Sequence, residues 1–263
     1  MLLQWLRRRR RARISAEPFP AAWSRVLAEN CFHYQDLSQS QQARLRTLVQ
    51  IFVAEKNWEG CRGFEITDTV KVTTAAQACL LVLGLDEVYF DNVLSILMYP
   101  NSYVANNVEI TRAGVMMEGG QPRLGEAWWR GPVILSWSDV LAGGRCETPG
   151  HNLVIHEFAH QLDMMNGHLV DGTPPMETKE QFQLWIDVLE PEYRKLVEDC
   201  RRGHRGLIDC YGATNVAEFF AALTEAFFER PASLDRHHPE VYAILQRYFR
   251  LDPASWNTEK SPL

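Results

Sequence analysis

The chain has 263 residues, of which 46% are hydrophobic and 23% are charged, and its net charge is −6. This length allows one large domain, or at most two, and the composition is that of a globular protein with a sizeable core. The acidic balance argues against a nucleic-acid-binding protein, and the longest apolar stretch, residues 75–85, is about half the ~20 residues that a membrane-spanning helix needs. We therefore expect no direct nucleic-acid partner and no membrane partner.

The N-terminal residues 1–17 are rich in arginine and are predicted to be flexible. Their apolar residues, within positions 1–6, precede the arginines at positions 7–11, whereas a secretory signal has the opposite order. These arginines could contact RNA or anionic lipid, but nothing amphipathic follows them and the rest of the chain is acidic. We expect a solvated segment, then a single domain over residues 18–255 and a flexible tail over residues 256–263.

In chain order, the first half of the domain is predicted to combine helices with short strands. Helices are predicted at residues 23–27, at 38–55 with Ser38 or Ser40 as the cap, and at 68–84 with Asp68 as the cap. Strands are predicted at residues 93–99 and 133–137, with hairpins or loops at 106–131 between them.

The second half is predicted to be mainly helical. Helices are predicted at residues 151–165, 181–200, 214–229 and 239–249, with a loop at 171–180. Pro191 should break the second of these helices or begin a new one. No repeat or long linker interrupts the pattern, which indicates one α+β domain.

Six cysteines are scattered along the chain, and no two have C-x-x-C spacing. A chain of this size does not need disulfides to stabilise its core, so we expect reduced, mostly buried thiols of a cytoplasmic protein. The six are Cys31, Cys61, Cys79, Cys146, Cys200 and Cys210.

The strongest chemical signal is an H-E-x-x-H motif formed by His156, Glu157 and His160 within a predicted helix. Four residues make about one helical turn, so both imidazoles lie on one face, as adjacent ligands of a tetrahedral zinc site require. Glu157 lies beside them and can act as a base without being a ligand. The flanking residues are apolar, and buried histidines need a metal or hydrogen-bond partners. The alternative is a pair of hydrogen-bonded core histidines.

A catalytic zinc site needs a third protein ligand. The metzincin pattern fails, because Asp163 and Asn166 stand where it requires glycine and histidine. Among later acids, Glu218 lies in an otherwise apolar helix, and its alternative role is a capping-box partner of Asn215. Glu225, two turns further on the same face, is the second choice as a ligand and the better choice as a partner of a ligand. Glu177 and Glu180 are the remaining candidates, and they lie in or near a polar loop.

Two other side chains have possible supporting roles. Asp163 follows His160 by about one turn and could accept the outer N–H of a ligand imidazole, unless it is a surface residue at the helix end. Tyr211 could donate its hydroxyl to a developing oxyanion, although a tyrosine before a glycine more often only packs.

Two segments together resemble the Mlc titration factor A family of bacterial zinc peptidases. They are residues 154–163, VIHEFAHQLD, followed by Asn166-Gly167, and residues 211–220, YGATNVAEFF. Weaker support comes from residues 131–137 and from Tyr99-Pro100, and the likeness covers residues 20–253. The arginine-rich residues 1–13 do not belong to the resembling pattern, so the partner can differ here.

The resemblance implies a mostly helical, zincin-like domain of the gluzincin type, with a small mixed sheet beside the helix of the motif. It implies that His156, His160 and Glu218 bind Zn²⁺, that Glu157 is the general base and that Tyr211 stabilises the transition state. The spacing from Tyr211 to Glu218 is also similar to that in the catalytic core of anthrax lethal factor. The resemblance further implies a cytoplasmic, aminopeptidase-like enzyme that binds the glucose repressor Mlc and thereby regulates sugar uptake.

The resulting hypothesis is a zinc peptidase that hydrolyses peptides with an activated water molecule, Glu157 taking its proton. The strand at 133–137 is the candidate edge strand for an extended substrate. A first alternative is a non-catalytic protein that titrates a transcriptional regulator, its zinc being structural. A second is an RNA- or membrane-surface protein that works through the arginines at positions 7–11.

Overall fold

The structure is a computed structural model that describes residues 2–101, 103–105, 108–111, 114–116, 131–167 and 170–257. These residues are mostly helical, and none of the helices described combines the length and apolar character that crossing a membrane requires. The helices are α1 (Leu2–Ala16), α2 (Ala21–Asn30), α3 (Gln39–Glu55), α4 (Asp68–Leu80), α5 (Trp137–Gly144), α6 (Leu153–Asp163), α7 (Lys179–Arg201), α8 (Val216–Glu229), α9 (Pro231–His237) and α10 (Pro239–Phe249). The strands are β1 (Asn57–Gly60), β2 (Ser95–Tyr99), β3 (Tyr103–Ala105), β4 (Val108–Thr111), β5 (Gly114–Met116) and β6 (Val133–Ser136).

Two small sheets replace the single mixed sheet that the resemblance implies. One is parallel, in the order β1-β2-β6, with Ile96 of β2 paired to Trp58 on one side and to Val133 on the other. The second is antiparallel, in the order β3-β4-β5, and β4 lies near β6 while β5 lies near α6. Strands β1 and β2 can pair in parallel because α4 lies between them and provides the crossover connection that parallel strands need. Strands β3, β4 and β5 are separated by only two residues each, which is short enough for antiparallel pairing.

The predicted strands agree with β2 and β6, but Trp137 begins α5 instead of ending β6. The side chain of Ser136 accepts a hydrogen bond from the backbone N–H of Asp139 and so caps α5. In the segment predicted to hold hairpins or loops, β4 and β5 form an antiparallel pair. The rest of that prediction, at 106–107, 112–113 and 117–130, lies outside the described residues, as do residues 258–263 of the expected tail.

Two helix caps and one proline inside a helix show which local signals prevailed. Ser38, one of the two residues predicted to cap α3, caps it through a capping box with Gln41. Thr67, and not Asp68, caps α4, since its hydroxyl accepts from the backbone N–H of Val70. Pro191 lies inside α7 and does not break it. Core contacts on both sides of Pro191 stabilise a continuous helix against the lost backbone donor.

The core surrounds α6, and its apolar side chains, among them Ile155 and Phe158, are buried. The Phe158 ring centroid lies 4.9 Å from that of Phe90 and 5.5 Å from that of Phe52. These distances are typical of edge-to-face aromatic packing, which adds to the hydrophobic stabilisation of the core. The core therefore holds α6 firmly and fixes where its polar side chains lie.

The arginine-rich N-terminal segment, which is predicted to be flexible, contains the helix α1. Arg11 of α1 forms a bidentate ion pair with Glu55 of α3, and a second ion pair with Asp91. Its guanidinium also lies 4.0 Å from the ring centroid of Tyr89. The expectation rested on the absence of an amphipathic apolar pattern, whereas α1 is held against the domain mainly through charge.

The prediction of six reduced thiols is wrong for two of them. Cys200, near the end of α7, and Cys210 form a disulfide. The chain between them turns back so that their Cα atoms are 5.7 Å apart, within the range that a disulfide needs. Their ten-residue separation carries no sequence signal, which is why the pairing could not be predicted. Of the free cysteines, Cys31 and Cys79 are buried, whereas Cys61 and Cys146 are half-buried.

Candidate metal centre

Two helices bring together three metal-ligating side chains. His156 and His160 come from α6, and Glu218 comes from the first turn of α8. The Nε2 atom of His156 lies 3.0 Å from Oε2 of Glu218 and 3.3 Å from Nε2 of His160. The Nε2 atom of His160 lies 3.4 Å from the same Glu218 oxygen. One donor atom from each side chain therefore converges on a common point.

These separations fit a tetrahedral metal site. A tetrahedron with metal–ligand bonds of about 2.0–2.1 Å has ligand–ligand edges of about 3.3–3.4 Å. Two imidazole nitrogens and one carboxylate oxygen also form the donor set of known catalytic zinc sites, which leave the fourth position open. The three side chains are nearly buried. Buried charged and polar groups are costly unless a metal ion or hydrogen-bond partners compensate them.

Glu218 owes its position to the way α8 begins. The side chain of Asn215 accepts hydrogen bonds from the backbone N–H groups of Ala217 and Glu218 and so caps the helix. The Glu218 carboxylate is directed at His156 and His160. The predicted alternative, a capping-box glutamate, is therefore not needed to explain this acid.

A second acid on α8 holds the outer nitrogen of a candidate ligand. Oε1 of Glu225 lies 2.8 Å from Nδ1 of His156, and its other carboxylate oxygen accepts from the backbone N–H of Asn152. Such a carboxylate fixes the tautomer and orientation of a ligand imidazole. The structure thus gives Glu225 the partner role that the sequence analysis preferred over direct ligation.

The predicted partner role of Asp163 has no counterpart in the structure. Its carboxylate accepts hydrogen bonds from the backbone N–H groups of Gly172, at 2.7 Å, and Thr173, at 2.9 Å. The Nδ1 atom of His160 has no hydrogen-bond partner among the described residues. Gly172 has a φ of +75°, and a Cβ there would lie 2.4 Å from the Val216 carbonyl oxygen at the start of α8. Asp163 therefore fixes the tight loop that follows α6 and lies against the start of α8, instead of orienting a ligand.

The hydrogen-bonded cluster shifts the pKa of two of its members in opposite directions. Burial lowers the pKa of His156, but the hydrogen bonds to Glu218 and Glu225 outweigh it and leave the pKa well above 6.5. Burial raises the pKa of Glu218, but the hydrogen bonds to His156 and His160 lower it to about 2. Glu218 is therefore ionised at neutral pH, as a carboxylate ligand must be.

The other two predicted catalytic residues lie beside the cluster. Glu157, next to His156 on α6, is half-buried, in contrast to its buried neighbours. Tyr211 belongs to the single helical turn Cys210–Ala213, and its ring centroid lies 6.0 Å from that of His156. Burial raises the pKa of Tyr211, and the charges of Glu218 and Glu157 raise it further, so its hydroxyl remains a hydrogen-bond donor.

Sequence reasoning missed one acid beside the site. Glu229, at the end of α8, accepts hydrogen bonds from the Asn152 side chain and from the backbone N–H of Gly150. Asn152 caps α6, so Glu229 stabilises the start of the helix that carries both histidines. The available signal was its spacing, since Glu218, Glu225 and Glu229 follow at intervals of seven and four residues and share one helix face. Glu177, a loop acid that was also a candidate third ligand, forms an ion pair with Arg250 and is not one of the three converging side chains.

We expect Glu229 to make stability depend on pH. Burial raises its pKa from 4.5 to about 7. Because the folded chain then holds a proton that the unfolded chain releases, this contribution to the unfolding free energy is greatest below pH 4.5 and falls as pH rises towards 7. Glu229→Gln should remove a decrease of about 3 kcal/mol over this interval, measured by urea unfolding at several pH values. The exposed-site control Glu240→Gln should keep it, and identical pH profiles for all three chains would contradict the assignment.

Comparisons with known proteins agree with the cluster. The model of the family described as Glucose-regulated metallo-peptidase M90 matches residues 3–250, and so includes α1, which the sequence analysis places outside the resembling pattern. A protein of Synechocystis sp. without a functional name is 35% identical over 245 residues, covering 93% of this chain and 89% of the relative. The Mlc titration factor A of Edwardsiella ictaluri is 33% identical and that of Yersinia pestis 30%, each over 219 residues. Each of these two alignments covers 82% of this chain. They cover 83% of the Edwardsiella protein and 80% of the Yersinia protein.

Proposed function

The chain belongs to the glucose-regulated metallopeptidase M90 family, and from this premise we propose that it is a zinc-dependent peptidase with aminopeptidase-like activity. The observation that carries the proposal is the convergence of His156, His160 and Glu218, with Glu157 beside them. This arrangement supplies three ligands, an open coordination position and a base, which are the parts that hydrolysis by an activated water requires.

Zinc is the metal that this donor set suits best. Imidazole nitrogens and one carboxylate are typical zinc ligands, whereas magnesium and calcium prefer sites made only of oxygen atoms. A zinc ion bound by the three side chains would polarise the substrate carbonyl and lower the pKa of its water to about 7. Glu225 would hold the His156 ring so that its Nε2 atom faces the metal.

Glu157 and Tyr211 would divide the proton transfer and the charge stabilisation between them. The Glu157 carboxylate would accept a proton from the attacking water and pass it to the leaving amine. The Tyr211 hydroxyl, whose pKa is raised, would donate a hydrogen bond to the oxyanion that develops on the carbonyl. Strand β6 lies at the edge of the parallel sheet and would pair with an extended substrate.

The proposal is tested by removing and restoring the metal. The purified protein would be treated with a chelator, dialysed and assayed on aminoacyl-coumarin substrates and on internally quenched peptides, with and without added zinc. Hydrolysis that disappears with the chelator and returns with zinc is expected. Acetylation of the peptide N-terminus should abolish cleavage if the activity is aminopeptidase-like. Hydrolysis that survives complete metal removal would overturn the proposal.

Glu225 should control metal affinity without being a ligand. Replacement with glutamine leaves the size unchanged but removes the negative charge next to His156 Nδ1. We expect Glu225→Gln to weaken zinc binding by about 10–100-fold, as the loss of an outer partner of a ligand does. Competition with a chelating dye measures this effect, with Glu240→Gln as the surface control. Equal affinity in all three chains would show that the Glu225 contact does not affect the metal.

The names of two relatives favour a second, compatible function. Relatives named Mlc titration factor A are 30–33% identical to this chain, and we propose that it too binds a transcriptional regulator similar to Mlc. In that role it would help to regulate sugar uptake, and the metal could be structural. The test is binding of purified Mlc to wild type and to Glu157→Gln. Retained binding by both chains supports a function independent of turnover, and no binding by either chain would remove this proposal.

A further inference from the structure

Helix α1 divides five of its six arginines between two faces, and the sixth, Arg10, donates a hydrogen bond to the carbonyl oxygen of Ala54. On the inner face, Arg7 pairs with Asp91 at 3.1 Å and Arg8 pairs with Glu87 at 2.6 Å. Arg11, also inward, is neutralised by Glu55 and Asp91. The nearly buried Arg11 pairs hold α1 on the domain, and the exposed pairs of Arg7 and Arg8 leave little net charge on that face.

The outer face combines apolar side chains with unneutralised arginines. Trp5 and Leu6 are 53% and 47% exposed, and they are adjacent in the chain. The Arg9 guanidinium lies 5.4 Å from the ring centroid of Trp5. Arg13 is exposed one turn further, and neither Arg9 nor Arg13 has an acidic partner among the described residues. Since each helix residue turns by about 100°, Trp5, Arg9 and Arg13 share one face, opposite Arg7 and Arg11.

The charge of α1 contrasts with that of the whole chain. The helix contains six arginines and no acidic residue, whereas the chain as a whole has a net charge of −6. The ion pairs account for the presence of arginine on the inner face. They do not account for Arg9 and Arg13 on the outer face. The outer face is therefore a local basic and apolar surface on an acidic protein, and such a surface indicates an anionic partner with an apolar layer.

We propose that the outer face of α1 binds the surface of a membrane that contains anionic lipids. Trp5 and Leu6 would enter the headgroup region, where tryptophan is enriched in membrane proteins, and Arg9 and Arg13 would contact lipid phosphates. A nucleic acid fits less well, because it offers no apolar layer for the exposed Leu6 to enter. In this proposal, which departs from the expectation of no membrane partner, the helix lies on the membrane and does not cross it.

The proposed contact is weak and reversible. Two apolar side chains and two arginines provide far less binding than a spanning helix or two lipid anchors. Each arginine near an anionic surface strengthens binding by about fivefold at physiological salt, and the gain falls as salt is added. The contact is independent of the metal centre, so it holds or fails separately from the proposed peptidase activity.

The test is cosedimentation of the full chain with vesicles of phosphatidylcholine alone and of phosphatidylcholine with one quarter phosphatidylglycerol. Binding is expected only to the anionic vesicles, and it should decrease with salt. The variant W5A/L6A should lose binding, and R9Q/R13Q should weaken it by about 25-fold. The matched control R7Q/R8Q removes the same number of charges from the inner face, and it should bind within about twofold of wild type.

Three results would overturn the proposal. The first is no binding to the anionic vesicles by wild type. The second is an equal loss in R7Q/R8Q and R9Q/R13Q, because this would mean that only total charge matters. The third is full binding by W5A/L6A, which would indicate a simple polyanion contact. Unchanged zinc content and unfolding midpoint in every variant ensure that a loss of binding is not a loss of folding.

Discussion

Glu157→Gln should lower peptide turnover by about 10²–10⁴-fold while the protein keeps about one zinc per chain. Glutamine has the shape of glutamate, but its amide cannot take a proton from water at neutral pH. The neighbouring candidate ligands His156 and His160 would keep their positions on α6, because the core side chains of that helix are unchanged. Steady-state kinetics and elemental analysis on the same preparation measure the two quantities together.

The matched control for this prediction is Glu180→Gln, on the exposed first turn of α7. It removes the same charge from a glutamate far along the chain from the motif and should leave turnover within about twofold of wild type. Full activity in Glu157→Gln would mean that another group takes the proton. Loss of zinc together with activity would instead mean that Glu157 contributes to metal binding.

Glu218→Ala should remove most of the bound metal and, with it, most of the activity. The variant loses the one carboxylate among the three converging donors. Only the imidazole nitrogens of His156 and His160 would then remain to bind the metal. We expect zinc affinity to fall by more than the roughly 100-fold that the loss of an outer partner can cause. Elemental analysis after dialysis against a weak chelator should show a sharply reduced zinc content.

Two further variants sharpen the assignment of the third ligand. Glu218→Asp shortens the side chain by one methylene and should retain part of the zinc, because the carboxylate remains. Glu177→Ala, at an exposed acid of the loop before α7, should keep the full zinc content. Undiminished zinc in Glu218→Ala would move the third ligand to Glu225 or elsewhere.

The helices that carry the site could be predicted because their signals are local. The apolar periodicity of α6 and α8 is strong, and the caps of both helices are asparagines next to the apolar pattern. The H-E-x-x-H spacing fixes two donors on one face without any tertiary information. The choice of Glu218 followed from the cost of an acid in an apolar helix.

The remaining features depend on contacts between distant segments. The partner of Asp163 is a loop nine residues later, so helix spacing alone suggested the nearer His160. Strand β1 has only four residues and pairs with β2, which lies far along the chain. Arg7 and Arg8 of α1 find their partners in a loop about eighty residues away, and a local pattern cannot reveal such pairing.

A single stripe of α8 holds the candidate ligand Glu218, the His156 partner Glu225 and the Asn152 partner Glu229. Seven residues make almost two full turns, so one inserted residue between Glu218 and Glu225 would rotate the second by about 100° and shift it about 1.5 Å along the axis. Loops elsewhere can change length without moving these donors, but this interval cannot. Insertions and deletions should therefore be absent from it in any chain that builds the same centre, and Glu-x6-Glu after H-E-x-x-H becomes a length signature for recognising distant relatives.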